Sequence, residues 1–374
     1  MKLLLYCQHL SGSGHFVRTY EIARALSADH EVHIVDGGWP VPRRPAQVRR
    51  LEIPRLRRDG DRLVSLDPAR TTGEVMAQRS ARLQEAVDRI EPDVLLIEHF
   101  PFSKGSLRHE IMMLIECASA RICCSIRDIA PVTRKDPVAR EETLDILHQH
   151  FDALLVHGDP RLTRLEDQIS WAGEITVPIV YTGIVSERPE ADVAGGGRIV
   201  VSAGGTGGKA LFKATEAAWQ LLDDPTRSLV FYYPPTWGVF ESSAENVRVE
   251  PYGVDFLDQL VGADLSISQA GYSTCANLLQ TRVPAIVVPH PAMPDQAERA
   301  RLLAERGLVR AIVPGELDAA RLAKSMREAL GQRMPSHEFD LDGAERSREI
   351  LTSNEWPPVP ADMSRRPRLT ITSS

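Results

Sequence analysis

Residues 264–296, DLSISQAGYSTCANLLQTRVPAIVVPHPAMPDQ, narrow what this chain can fold into more than any other stretch. Leu265 and Ile267 alternate with serines, the period of a strand. Ala270-Gly271 follows as a small-residue turn, then a helical run from Ser273 to Leu279. A second apolar run, Ala285 to Val288, ends at Pro289-His290. Strand, turn, helix and strand make a βαβ unit. Gly271 lets the backbone come close to a bound group, and Ser273 and Thr274 stand at the helix start. Unpaired N–H groups and the positive end of the helix dipole favour an anion such as phosphate there. Asn277 lies about one turn further in, where its amide reaches a neighbouring hydroxyl. An ordinary helix cap with no ligand is the alternative for this stretch taken alone.

The same alternation runs through both halves of the chain, which predicts an α/β protein. The apolar strand 2–7 ends in Gln8-His9-Leu10-Ser11-Gly12-Ser13-Gly14-His15, and a helix follows. This glycine/serine loop lacks the third glycine of the dinucleotide fingerprint but can still host a phosphate or a sugar. Polar residues recur at the carboxyl ends of the strands expected here: His9, Asp36, Glu98, His99, Asp128, His157 and Asp159. In open α/β sheets that edge is where ligands bind. Pro40 to Arg62, dense in proline and arginine, reads as a long loop, either a solvated basic face or a patch for an anionic acceptor or lipid headgroups.

Residues 186–197, SERPEADVAGGG, read as a linker. Beyond them a strand at 198–202 leads into Ala203-Gly204-Gly205-Thr206-Gly207-Gly208-Lys209, which can surround a diphosphate but has not the Walker order. The expected organisation is a domain over 1–185, the linker 186–197, a domain over 198–340, a C-terminal helix over 341–353 and a flexible tail over 354–374.

Composition sets the outer limits. The 374 residues suit two domains, and a formal net charge of −7 argues against general nucleic-acid binding. No run reaches the length of a membrane span, and the N-terminal apolar run is too short for a signal peptide. Five cysteines without metal-ligand spacing read as buried thiols in a reducing cytosol.

Two Rossmann-like halves, each opened by a glycine loop, resemble the GT-B glycosyltransferases, two domains facing across a cleft. The resemblance is to the family of MurG, which adds N-acetylglucosamine to lipid I. YCQHLSGSGHFVRTYEIARAL, IEHFPF, RDI and VHGDPR are similar to predicted bacterial glycosyltransferases related to it. The resemblance implies a donor site in the second half. Backbone at Gly253, after Tyr252, would meet uracil. Thr206, flanked by Gly205, Gly207 and Gly208, would touch the diphosphate, with Gly271, Tyr272, Ser273 and Thr274 as the second phosphate contact. Asn277 stands where the family has a glutamate for the ribose, a weaker partner because it is neutral. Gln296, with Asp295 before it and His290 at the strand end, would hold sugar hydroxyls. His15, beside Gly14, is similar in place to the family's loop histidine.

The implied activity is an inverting transfer from a UDP-sugar, N-acetylglucosamine by family default, to a hydroxyl acceptor. Helix dipoles and backbone N–H groups would stabilise the leaving diphosphate without a metal or other cofactor. His15 is the expected base, oriented by Asp128 or Glu98. The expected partners are the nucleotide sugar and an unidentified acceptor, lipid-linked or a small natural product or cell-envelope precursor; an anionic acceptor would suit the arginine-rich segment. The expected location is the cytoplasm, with at most peripheral contact at the inner membrane face. Domain closure about the linker is expected. A sugar-nucleotide epimerase or hydrolase on this fold, or a non-catalytic nucleotide-sugar-binding protein, remains the alternative.

Overall fold

The structure is a computed structural model that describes residues 1–355 except 11–12, 39–40, 44–45, 61, 131–136, 191–195, 204–207 and 235–239. The chain divides into two compact units. Unit 1 holds Met1–Val41, Pro45–Val185 and everything from Phe339 on; unit 2 holds Ser186–Glu338 and Pro42–Arg44.

Unit 1 runs β1 (Lys2–Tyr6), α1 (Gly14–Leu26), β2 (Glu31–Asp36), β3 (Val48–Glu52), β4 (Leu56–Asp59), β5 (Arg62–Ser65), α2 (Thr72–Ile90), β6 (Val94–Glu98), α3 (Arg108–Cys117), β7 (Arg121–Arg127), α4 (Pro137–His150), β8 (Ala153–His157), α5 (Leu165–Gln168) and β9 (Ile179–Tyr181). Seven strands form one parallel sheet in the order β3-β2-β1-β6-β7-β8-β9. Leu3, Leu4 and Leu5 of β1 are fully buried, as the centre of a two-sided parallel sheet requires. Leu4 and Tyr6 join the core made by α2, α3 and α4. Helix α2 shows why a sequence sets its ends. Thr71 caps its first turn and Glu74 reaches back to the Thr71 N–H, while Val75, Leu83, Ala86, Val87 and Ile90 form the buried stripe.

Unit 2 runs β10 (Arg198–Ser202), α6 (Lys209–Leu222), β11 (Ser228–Tyr233), β12 (Val247–Pro251), α7 (Phe256–Leu260), β13 (Leu265–Ser268), α8 (Tyr272–Thr281), β14 (Ala285–Val287), α9 (Pro294–Glu305), β15 (Arg310–Ala311) and α10 (Ala319–Ala329). Its parallel sheet has the order β12-β11-β10-β13-β14-β15. Ile199, Val201, Leu265, Ile267 and Ile286 supply the sheet's side of the core, against Leu211 and Phe212 of α6 and Leu322 and Met326 of α10. The last helix, α11 (Gly343–Leu351), returns to unit 1 and packs on α1. Asp340 ties it down: its carbonyl accepts the Ile184 N–H, and its N–H donates to Asp159.

In both sheets the order reverses beside the first strand, between β1 and β6 and between β10 and β13. At such a point successive connections leave in opposite directions, and their loops open a crevice at the carboxyl ends of the strands.

The segment from Pro40 to Arg62, expected as one long loop, instead contains β3 and most of the β4–β5 hairpin, with 39–40, 44–45 and 61 outside the described residues. β3 is the edge strand of its sheet, so it can carry charge outward: Arg49 pairs with Glu31, and Arg50 lies 3.6 Å from Asp36 and over the Phe16 and Tyr20 rings. Buried Ile53 and Leu56 anchor the segment. All five cysteines are free thiols; four are buried and Cys117 is half-buried. Among the described residues, no helix is long and apolar enough to cross a membrane.

Candidate active site

At the reversal point of unit 1, β1 leads to the loop before α1 and β6 ends at Glu98. His15 is in the first turn of α1, and Arg18 stands three residues on, so both reach the same side. The Nδ1 of His15 lies 2.5 Å from Glu98 Oε1, and Arg18 Nη2 bonds that same oxygen. Lys104 Nζ is 3.9 Å from Glu98 Oε2 and also donates to the Gln8 carbonyl. His99, in a left-handed conformation with φ 65°, sets its ring edge-on to that of His15 at 4.7 Å. Such backbone in a non-glycine residue is strained and collects at functional positions.

The carboxylate beside Nδ1 assigns the ring proton to that nitrogen and leaves the lone pair on Nε2. Burial lowers His15 to about 4; Glu98 opposes this, and Lys104 and Arg127 add to it. Burial works against an ionised Glu98, but the His15 and His99 imidazoles and the Lys104 ammonium outweigh it and hold the carboxyl well below its usual range. The pair is therefore a neutral imidazole on an ionised carboxylate at neutral pH. Glu98 is 1% exposed and His15 23%, so the imidazole is the member that solvent or substrate can touch. His15, Glu98 and His99 offer ligand atoms within 4.8 Å of one another. Arg18, Lys104 and Arg127 already crowd the group with positive charge, which weighs against a divalent cation there.

Asp128, the other candidate carboxylate, follows β7; its Oδ1 accepts the Ile129 N–H at 2.7 Å and its carbonyl accepts from Gln168. A second buried network stands behind the site. Arg79 grips Glu110 through two nitrogens and donates to Gln8 Oε1 at 2.8 Å, and the Tyr6 hydroxyl donates to Glu110. Gln8 is thereby held where the chain leaves β1.

At the reversal point of unit 2 the chemistry is different. Ser202 of β10 pairs with Ser268 of β13, so Ala203 and Gln269 leave the sheet side by side. Gly205, Thr206 and Gly207 lie outside the described residues. Gly208 stands at the start of α6 with φ 97°, and a Cβ on it would come within 2.2 Å of the Ala203 Cβ. Gly271 is the N-cap of α8 and supplies no side-chain cap, so the positive end of the helix dipole faces this turn without a capping side chain. Ser273 and Thr274 are half-buried, and Asn277, on the same helix face, is buried. The Ser268 hydroxyl, at the strand end just before this turn, is buried with no hydrogen-bond partner among the described residues. A buried hydroxyl beside a helix start without a side-chain cap offers a polar contact to an anion seated there.

The other expected donor residues are occupied in informative ways. Tyr252 packs on Phe256 with ring centres 4.8 Å apart and bonds Arg43, itself 2.9 Å from Glu187. Gly253 has Asp255 Oδ1 within 2.8 Å of where a Cβ would be. Gln296 accepts the His290 N–H at 2.9 Å, which leaves its amide nitrogen for a ligand hydroxyl. His290 Nδ1 accepts from the Ala292 N–H, and Asp295 lies 3.3 Å from Arg299. His99 was read from sequence only as one of the polar residues at the ligand-binding edge, and Arg18, Lys104, Ser268 and Arg299 were not singled out as site residues.

Residues 234–343 match the model of the glycosyltransferase family 28 C-terminal domain. Among solved structures, the glycosyltransferase of kitacinnamycin matches with a TM-score of 0.59 at 16% identity, covering 92% of each chain. MurG of Acinetobacter baumannii matches with a TM-score of 0.52 at 14% identity, covering 96% of each. The fold is GT-B, and residues 234–343 resemble the family 28 C-terminal domain. By sequence, the N-acetylglucosamine transferase acting on N-acetylmuramyl-(pentapeptide) pyrophosphoryl-undecaprenol of Rhizobium meliloti is 31% identical over 154 residues, 38% of this chain and 41% of that protein. Its counterpart from Desulforamulus reducens is 33% identical over 87 residues, 23% of each. The chain thus spans less than half the length of these curated relatives. The family 28 segment includes Tyr252, Gly253, the whole α8 turn, His290, Asp295 and Gln296; the His15–Glu98 pair lies on the other part of the GT-B fold.

Proposed function

We propose that the protein is an inverting glycosyltransferase that moves a sugar from a nucleoside-diphosphate sugar, UDP-N-acetylglucosamine by family default, to a hydroxyl of its acceptor. The observation that carries this reading is the neutral His15 imidazole tied through Nδ1 to ionised Glu98 at a sheet reversal point. In the proposed step, the acceptor oxygen attacks the anomeric carbon on the face opposite the diphosphate. Nε2 of His15 takes the hydroxyl proton, Glu98 stabilises the imidazolium that forms, and the bond from the anomeric carbon to the diphosphate oxygen breaks. The charge left on the diphosphate falls on the α8 start and on Gly208 and its neighbours. Asn277 meets a ribose hydroxyl, and Gln296 a sugar hydroxyl.

No metal or other cofactor is needed in this scheme, because fixed N–H dipoles supply the stabilisation. The relatives named above act on a lipid-linked diphosphate. The exposed arginines of β3 to β5 suit an acceptor of that charge, presented at the cytoplasmic face of a membrane that the protein touches from outside. The test begins with a thermal-shift screen of nucleoside diphosphates, followed by incubation of the best sugar donor with cell extract and mass spectrometry for a glycosylated product. Stabilisation by UDP or thymidine diphosphate and an acceptor-dependent product support transfer. Donor turnover in the absence of any acceptor would instead indicate an epimerase or hydrolase, and binding without turnover a non-catalytic protein.

A further inference from the structure

Arg299 is one of the largest fully buried side chains in the protein, and it sits behind the turn between β13 and α8. Its Nη1 donates to the Ala270 carbonyl at 2.8 Å, and its guanidinium carbon is 5.8 Å from the centre of the Tyr272 ring. Asp295, one turn earlier on α9, places Oδ2 3.3 Å from the same Nη1 and is itself mostly buried. Two positive features are therefore stacked in one place: a buried guanidinium and the start of α8, which has no side-chain cap. Buried cations need partners, and like charges brought together out of water repel.

We propose that Arg299 is the positioning residue of the donor-phosphate turn, and that Asp295 serves as its counter-ion, not as a ligand of the sugar. The inference rests on the donor site proposed above. Ala270 precedes the N-cap glycine, so its carbonyl oxygen is the backbone group best placed to repel an anion seated at the helix start. Arg299 takes up that oxygen and fixes the peptide plane at the helix start, so the carbonyl is turned to the guanidinium and not to the anion. Tyr272 closes the packing on the guanidinium face. With Arg299 paired to Asp295, the helix dipole of α8 supplies the turn's attraction for a diphosphate.

Two measurements separate this role from mere stability. Hydrogen exchange of peptides covering 268–278 and of peptides from β10 and β11 reads the turn without any ligand. Arg299→Met raises exchange in 268–278 and leaves β10 and β11 at wild-type rates, while Arg299→Lys, which keeps a donor for Ala270, restores part of the protection. Calorimetry with UDP then shows about a tenfold loss of affinity for Arg299→Met. Asp295→Asn, which removes a negative charge beside the anion site, tightens UDP binding roughly threefold. Exchange in 268–278 that is unmoved, or that rises equally across the whole unit, overturns the positioning role. UDP binding unchanged or weakened by Asp295→Asn, or weakened binding of UDP-sugar with UDP unaffected, overturns the counter-ion role. Failure of the wild-type protein to bind any nucleotide overturns the donor site itself, while the exchange data still decide what Arg299 does to the turn.

Discussion

In unit 1 the crossing between β1 and β6 is surrounded by groups that titrate or carry full charge: His15, Arg18, Glu98, His99 and Lys104. In unit 2 the described groups at the mouth of the crossing between β10 and β13 are Gly208, Gly271, Ser268, Ser273, Thr274 and Asn277, none of which titrates, and the charged Arg299–Asp295 pair stands behind the turn. The topology is the same, so the difference is chemical. A proton acceptor must be able to change its charge, and burial together with fixed neighbours sets where it does so. An anion seat does better with donors whose charge never changes and whose geometry the backbone holds. The contrast predicts that damage to one crossing spoils turnover and damage to the other spoils binding.

The largest expected effect tests that division directly. His15→Ala should lower transfer by about 10²- to 10⁴-fold, the usual contribution of a general base, with UDP affinity unchanged by calorimetry. Transfer near the wild-type rate would remove His15 from the chemistry. Equal losses in binding and turnover would dissolve the distinction between the crossings.

A smaller effect is expected from the backbone of unit 2. Gly208→Ala forces a side chain into φ 97° and against Ala203, a strain of roughly 1–3 kcal/mol. The thermal midpoint should fall by about 2–12 °C, since a domain of this size loses roughly 2–4 °C per kcal/mol. UDP should weaken in step, and transfer should recover at saturating donor. A variant with unchanged melting would mean that the turn before α6 is not held as described.

How far the sequence anticipated these two crossings follows the same chemical line. The βαβ unit around Gly271 was readable because its signals are local: alternation, a small-residue turn and a polar helix start all lie within about thirty residues. Glu98 and Asp128 could not be ranked as partners of His15, because both end strands at the same edge. Only the neighbouring of β1 and β6 in the sheet puts Glu98 at 2.5 Å. Lys104 and Arg18 escaped notice for the same reason, since their role depends on a buried carboxylate eighty residues away or on a turn of chain with no periodic signal. β3 was missed because Arg49 and Arg50 interrupt the period of two, which an edge strand tolerates and a central strand does not. The return of α11 to unit 1 is a long-range contact with no local mark on the sequence.

Acid should separate the two crossings further. His15 is lowered from 6.5 to about 4, so the unfolded chain binds a proton at a higher pH than the folded one. The stability of unit 1 that depends on neutral His15 is present above the unfolded value and is lost as pH falls from about 6.5 towards about 4. His99 and His157, also held low mainly by burial, act in the same direction. Unit 2 has no comparable buried histidine at its described crossing. Transfer should accordingly keep a basic His15 down to about pH 4. Lys104→Met, which removes a cation that depresses His15, should move that acidic limb upward, by about one unit if the change is worth tenfold in proton affinity. An NMR titration of the His15 ring checks both values without an acceptor. A limb that stays in place would mean that Lys104 only fastens the Gln8 carbonyl.

The smallest effect concerns which nucleotide the neutral crossing accepts. Asn277 is buried on the polar face of α8 and its amide is uncharged, so its bond to a ribose hydroxyl is worth about 1 kcal/mol, half or less of what a carboxylate gains. UDP and its 2′-deoxy counterpart should therefore bind within about fivefold of each other. Asn277→Glu should widen that gap, because an ionised acceptor rewards the second hydroxyl more strongly, even though the added charge near the diphosphate weakens both ligands. Asn277→Ala should narrow it. If wild type already prefers the ribonucleotide by a wide margin, some group other than Asn277 reads the sugar, and the crossing of unit 2 is more selective than its uncharged inventory implies. If Asn277→Glu leaves the ratio alone, the ribose does not lie over this helix face at all, and the diphosphate must enter α8 from a different direction.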